Sequence, residues 1–237
     1  MKKYLLILVG ALMLVSCGTT KYVPTQSAST KYKVGDMYNQ NGLKGIVVAV
    51  DASGQHGTIM SLESSNAKWC ANKDLKFETN AFYEDDGRKN MEVISKYVET
   101  SSASWSDFPL FSWAKSLGDG WYIPAKEEAL SIWRNINGGS DTYNKRTCIS
   151  FDKSQRAYGG SPLVDTRFYL GNKQPYWWFT STEADGGNAL VVQFGNDFKA
   201  QLIVAFHATF KAFPVYKNPG IMSLSTSALA TSTIMLA

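Results

Sequence analysis

The 237-residue chain has little with which to do chemistry: 2 histidines and 3 cysteines. No H-E-x-x-H, C-x-x-C, P-loop or Rossmann glycine pattern occurs, and Gly159-Gly160-Ser161-Pro162 is not a nucleophile elbow. Neither Cys70 nor Cys148 stands at a metal-ligand spacing, so no zinc site is expected, and no cofactor or catalytic residue is either. His56 lies in a turn-rich connection and reads as a solvated loop residue; His207 lies in an apolar run and reads as a strand residue. The chain also lacks any basic run of five or more. Its net charge of +4 owes two units to Lys2 and Lys3, which excludes a nucleic-acid or polybasic membrane-surface reading. No apolar stretch is long enough to span a bilayer as a helix.

What is present begins with an address. Met1-Lys2-Lys3 supplies a positive start and Leu5 to Val15 a short apolar stretch, the features of a secretory signal. Leu14-Val15-Ser16-Cys17 resembles the bacterial lipobox, in which cleavage precedes the cysteine and its sulfur and new amine are acylated. Residues 1–16 are then a leader and Cys17 a lipid anchor that holds the protein to a membrane by buried acyl chains. Residues 17–33, rich in Ser and Thr, read as a tether. Acidic residues are absent just after Cys17, and Gly18 is not aspartate. The expected location is therefore the outer membrane, with the periplasmic side favoured and surface display the alternative.

Residues 34–217 read as one domain. Gly45–Val50 and Gly57–Leu62 are apolar runs joined by Asp51-Ala52-Ser53-Gly54-Gln55-His56, a hairpin. Met91, Ile94 and Val98 mark a helix over 87–98. Pro109 and Gly118 bound a second helix. A third runs from Pro124 to about Asn137, with Leu130, Trp133 and Ile136 as its stripe and Glu127 and Glu128 at its positive end. From Gly139 to about Pro162 the chain is polar and reads as a long surface excursion. Strands follow at 167–170, 176–181 and 189–194, and from about Ala200 to Tyr216. β-rich ends around a helical middle make an α+β domain. Residues 218–237 read as an appended tail. Cys70 and Cys148 either pair, closing a loop of about 80 residues worth on the order of 4 kcal/mol, or remain buried thiols.

Three segments carry a family likeness. Gly120-Trp121-Tyr122-Ile123-Pro124-Ala125 and Trp178-Phe179-Thr180-Ser181-Thr182-Glu183, followed by Ala189 and Phe194-Gly195, resemble the C-terminal domain of the Legionella collagen-like (Lcl) adhesin group. That domain is found in Bacteroidetes lipoproteins and is grouped with C-type-lectin-like and formylglycine-generating-enzyme-like folds. Gly120, Trp121, Tyr122, Pro124, Ser181, Thr182 and Glu183 match its signature. The closing segment departs from the family: Lys211 stands for one arginine, and Pro214 for another, suggesting an edge or final strand. Ala114 stands where relatives often have cysteine, and neither the lectin calcium triplet nor the paired cysteines of the formylglycine enzymes is present. The resemblance implies a non-enzymatic envelope lipoprotein with a lectin-like domain for a protein or glycan partner. Tyr143, Tyr158, Tyr169, Tyr176 and Trp177 are its candidate contacts, or else rings that support the fold. The alternative is a structural or pilus-associated subunit that assembles through its C-terminal segment.

Overall fold

The computed structural model describes residues 31–72, 74, 78–140, 143–163, 176–194, 201–205 and 209–218. Cys17, the leader, most of the tether, Tyr169, the strand expected at 167–170, His207 and all of the tail after Asn218 lie outside the described residues, as does the side chain of Tyr176. Among the described residues, no helix is long and apolar enough to cross a membrane.

Among the described residues, ten strands form two sheets. The first contains β1 (Met37–Gln40), β2 (Leu43–Val50), β3 (Gly57–Met60), β5 (Trp121–Tyr122) and β10 (Val215–Asn218), in the order β1-β2-β3-β10-β5 and antiparallel throughout. The second contains β4 (Ser65–Lys68), β6 (Tyr176–Asp185), β7 (Asn188–Phe194), β8 (Gln201–Ala205) and β9 (Thr209–Ala212), in the order β4-β9-β6-β7-β8. Its β6–β9 pair is parallel. Among the described residues, one antiparallel and one mixed sheet with four α-helices bear out the α+β reading.

β2 reads as a continuous apolar run because both faces of its sheet are covered. Ile46 and Val48 enter one cluster with Met60, Trp133, Phe151, Trp178 and Phe213, while Val47 enters another with Tyr38, Ile59 and Trp121. A third cluster packs α1 (Gly87–Thr100) and α2 (Pro109–Ser116) against the second sheet through Ile94, Phe108, Phe111, Phe179 and Val191. Within it the Trp69 ring lies edge-on to Phe108 and Phe111, at 6.0 and 4.8 Å. Trp121, Tyr122 and Ile123 supply one side chain to each of the three clusters, so this short stretch joins all of them.

The sequence puts a loop where the structure has a helix. α4 spans Lys145–Ala157, with Asn144 as its cap, accepting from the backbone N–H of Arg146 and Thr147. Its buried positions are Cys148, Phe151, Asp152 and Gln155, half of them polar, so the inward stripe does not register as hydrophobic periodicity. In α3 (Lys126–Ile136) the inward stripe is Ala129, Ile132, Trp133 and Ile136, and Leu130 is only partly covered. Pro124 precedes the helix, and Ala125 is its cap.

The closing segment differs as well. Pro214 is in no edge strand; it immediately precedes β10, the last described strand, which agrees with the final-strand alternative. It stands between β9 and β10, where the chain leaves the second sheet for the first, and β10 then lies inside the first sheet between β3 and β5. Proline's missing N–H costs nothing at such a corner, and its carbonyl accepts from Ser61 N–H at 2.9 Å. Cys70 and Cys148 are both free and buried, in two different clusters, so the disulfide alternative is not realised.

Candidate functional site

The two signature segments converge on one loop. Ser181 N–H donates to Pro124 C=O at 2.9 Å, and Lys126 N–H donates to Thr182 Oγ1 at 3.1 Å, locking the start of α3 to β6. From that seam three side chains reach residues 79–84. The carboxylate of Glu183, 2% exposed, accepts from Thr79 N–H at 2.9 Å, Thr79 Oγ1–H at 2.6 Å and Ala81 N–H at 3.4 Å. Glu183 N–H also donates to Ala81 C=O at 2.9 Å. Thr182 Oγ1–H donates to Tyr83 C=O at 3.0 Å. Asn90, fully buried on α1, accepts from Tyr83 N–H at 3.0 Å and donates to Tyr83 C=O at 2.7 Å and to Ser181 Oγ at 2.9 Å.

The strap has a clear physical logic. A buried carboxylate is expensive unless several donors meet it. Burial raises the Glu183 pKa, and the bonds from Thr79 and Ala81 only partly oppose that. What the network holds is a loop whose residues alternate: Thr79 and Ala81 face inward, while Asn80, Phe82 and Tyr83 face out. Asn80 takes a left-handed conformation, φ 68°, which asparagine tolerates better than most residues. Phe82 and Tyr83 are 40% and 43% exposed, and with Tyr158 they are the large exposed hydrophobics among the described residues. The Lys89 ammonium sits 5.2 Å from the Tyr83 ring centre. Glu84 C=O accepts from Glu127 N–H at 2.7 Å, and the largely buried Lys126 bridges the carboxylates of Glu84 and Glu127. Burial would lower the Lys126 pKa, but its bonds to those two acids outweigh that and raise it.

The same loop runs on into a cleft of about 530 Å³. One wall is the end of the β2–β3 hairpin, with Asp51, His56 and Thr58; the other is Asp85, Asp86 and Arg88 at the start of α1, and Lys217 of β10 joins the rim. Asp51 accepts from Ser53 N–H and Oγ–H, which holds its carboxyl below the usual range, and His56 Nδ1 lies 2.9 Å from it. Asp86 caps α1 through the N–H groups of Arg88 and Lys89. The Arg88 guanidinium lies over the rings of Tyr122 and Tyr216, 5.3 and 6.0 Å from their centres, and donates to Lys217 C=O. At the base, Glu128 accepts from Gly87 N–H at 3.0 Å, Ala125 N–H at 2.9 Å and Tyr122 OH at 3.0 Å. Burial pushes the pKa values of both Glu128 and Tyr122 upward. Glu128 is therefore more than a helix-start charge: it ties α1, β5 and α3 together.

Glu127 and Glu128 form no acid–base pair, since one binds Lys126 and the other is saturated by donors. Among the described residues no cluster of three His, Cys, Asp or Glu could hold a metal ion.

The three expected contact residues whose side chains are described, Tyr143, Tyr158 and Trp177, do not come together. Tyr143 is half-buried and stacks on Trp133, with ring centres 6.4 Å apart and planes 11° apart. Trp177 packs against the cluster beneath α1 and α2. Tyr158 is exposed after α4 and borders two open hollows that bring few charged groups together. The signature residues do converge, and the loop they hold was missed. Its sequence signal is slight: Asn90 interrupts the apolar stripe of α1, and Asp86-Gly87 precedes that helix in capping position.

No protein-family model and no curated protein matches the chain. A solved structure of a fimbrial protein from Bacteroides ovatus ATCC 8483 is similar over 78% of this chain and 49% of its own, with a TM-score of 0.52 and 15% sequence identity. The chain thus spans about half the length of that protein. At this identity the likeness concerns the fold.

Proposed function

We propose that the chain is a non-catalytic subunit of the cell envelope, anchored at the outer membrane by acylated Cys17 and associated with a fimbria-like fibre. The observation that carries this reading is the structural likeness to a fimbrial protein over most of the chain. The lipobox-like Leu14-Val15-Ser16-Cys17 supports the anchor, and a C-terminal segment of 218–237 supplies length for assembly. The test is recovery of the epitope-tagged full chain in fibres sheared from cells that produce it. Presence in purified fibres, with release of the chain from the membrane by Cys17→Ser, is the expected result. Absence from fibres while the chain remains abundant in the envelope refutes the reading.

A second reading is a partner-binding domain of the lectin-like type, and the strapped loop with its exposed aromatics favours it. A surface loop held by three buried polar side chains keeps its bound shape before any partner arrives, which lowers the ordering cost of association. The Lcl-like segments are the residues that hold this loop. Both readings agree with a protein exposing a binding element on an envelope-tethered scaffold.

A further inference from the structure

We infer that a second cleft, between α1 and the β5–β10 pair, binds a small carboxylate carried on an apolar body. Its centre is an unpaired charge. The Arg88 guanidinium is partly buried, lies over the rings of Tyr122 and Tyr216, and donates to Lys217 C=O. Among the described residues it has no carboxylate partner, and its buried Nε–H meets no acceptor. A guanidinium offers five N–H donors, and a cation partly withdrawn from water is costly until acceptors or an anion meet it. The neighbouring acids are already engaged. Asp86 caps α1 and faces Lys89, while Glu128 is met by Gly87, Ala125 and Tyr122.

The cleft holds about 460 Å³, within the range of small-ligand sites. Its charged residues are Arg88, Lys217 and Glu92, so two cations against one acid leave one positive charge. Lys217 has no ion-pair partner among the described residues, and Glu92 stands exposed one turn along α1 without pairing Arg88. A single carboxylate neutralises that charge and matches the planar fork of a guanidinium with two parallel bonds. A phosphate dianion overshoots it beside Glu92. Met91, Trp121 and Tyr216 form the apolar wall, with the Trp121 and Tyr216 rings edge to face at 5.8 Å. Gly120 makes room for that wall, since a Cβ there would lie 2.6 Å from the Tyr216 ring. Arg88 and Lys217 also border the cleft of about 530 Å³, but Asp51, Asp85, Asp86 and Glu128 stand there with His56 and oppose an added anion. The anion therefore belongs on the Met91 and Trp121 side.

The test titrates the full-length chain in detergent with phenylacetate, hexanoate, the neutral isostere phenylacetamide and inorganic phosphate, read by ligand-observed NMR. Expected is saturable binding of the two carboxylates, weakened about tenfold or more by Arg88→Gln because charge-assisted bonds are lost. Glu92→Gln removes the one acid of the cleft and should tighten binding about twofold. Denaturation midpoints show whether each variant folds. Glu92 is exposed and pairs with no described side chain, so its variant reports on the site even where Arg88→Gln is unstable. Phenylacetamide binding as tightly as phenylacetate, or phosphate binding more tightly than either carboxylate, overturns the ligand class. Carboxylate binding that neither variant changes overturns the site, and no saturable binding of either carboxylate overturns the proposal. Recovery of the chain in sheared fibres is a separate measurement, so the fibre reading stands or falls without this cleft.

Discussion

Replacing Glu183 by alanine tests the strap directly. The substitution removes the acceptor for Thr79 N–H, Thr79 Oγ1–H and Ala81 N–H. The hydroxyl can turn to another acceptor and Ala81 N–H keeps Thr79 Oγ1 at 3.3 Å, but the buried Thr79 N–H is left unsatisfied, at a cost of about 1–3 kcal/mol. Loss of the buried aliphatic stem adds a small cavity. The expected destabilisation is about 2–4 kcal/mol, large for a single substitution. Glu183→Gln keeps the shape and one acceptor oxygen, so it should cost only about 1–2 kcal/mol. Urea denaturation gives both values, and amide exchange of residues 79–84 shows where the loss falls. If the loop opens before the domain does, the midpoint shifts less than this while exchange in the loop rises steeply.

The pH dependence supplies a sign. Burial raises the folded-state pKa of Glu183 above its unfolded value. Between those two pKa values the folded state holds more protons, so this residue's contribution to stability is fully present below the unfolded pKa and is lost as pH rises through the folded one. The glutamine variant lacks that loss, so its deficit against the parent should narrow as pH climbs through the window. An alanine variant with parental midpoint and parental exchange in the loop would refute the reasoning. So would a glutamine variant as unstable as the alanine one.

Three further expectations follow from the fold. Gly87→Ala places a Cβ 2.3 Å from Ile123 C=O and 2.8 Å from Ala125 N, both backbone atoms, so a loss of about 3 kcal/mol or more is expected in the denaturation midpoint. Asn144→Ala removes the cap of α4 and should cost about 1 kcal/mol, with exchange rising first at Arg146 and Thr147. In a Cys17→Ser chain, Cys70 and Cys148 should resist alkylation at pH 8 while folded and both react in denaturant. Burial raises both thiol pKa values, that of Cys148 to about 12, and a native sample with one rapidly reacting thiol would contradict this.

The β2–β3 hairpin and the first three helices were legible because their apolar residues fall at strand or helix spacing and their ends carry Asp86-Gly87, Pro109 and Gly118. α4 was not, since its inward face uses Asp152 and Gln155, and a pattern of hydrophobic and polar residues cannot mark a polar side chain as buried. Asp152 bonds Leu163 N–H at 3.0 Å, a partner known only after folding. The site shows the same division. Gly120-Trp121-Tyr122-Ile123-Pro124-Ala125 was readable as a turn, a short extended segment and a helix start. That its neighbours hold residues 79–84 depends on the meeting of Asn90, Thr182 and Glu183, as much as 104 positions from their partners. The candidate aromatics were chosen by residue type alone, and type does not distinguish a Tyr143 stacked in the core from a Tyr83 on the surface.

The passage through Phe213-Pro214 sets the order in which this domain can become stable. β9 supplies the strand between β4 and β6, and β10 the strand between β3 and β5, so each sheet receives an interior member from the last described stretch of chain. A nascent chain ending before Thr209 has a split in both sheets and cannot close either. Stability therefore arrives as a single late event, paced by contacts between opposite ends of the sequence rather than by the early hairpin. Truncation from the C-terminal side should therefore tell sharply at Asn218: each described strand lost below it opens one sheet from within.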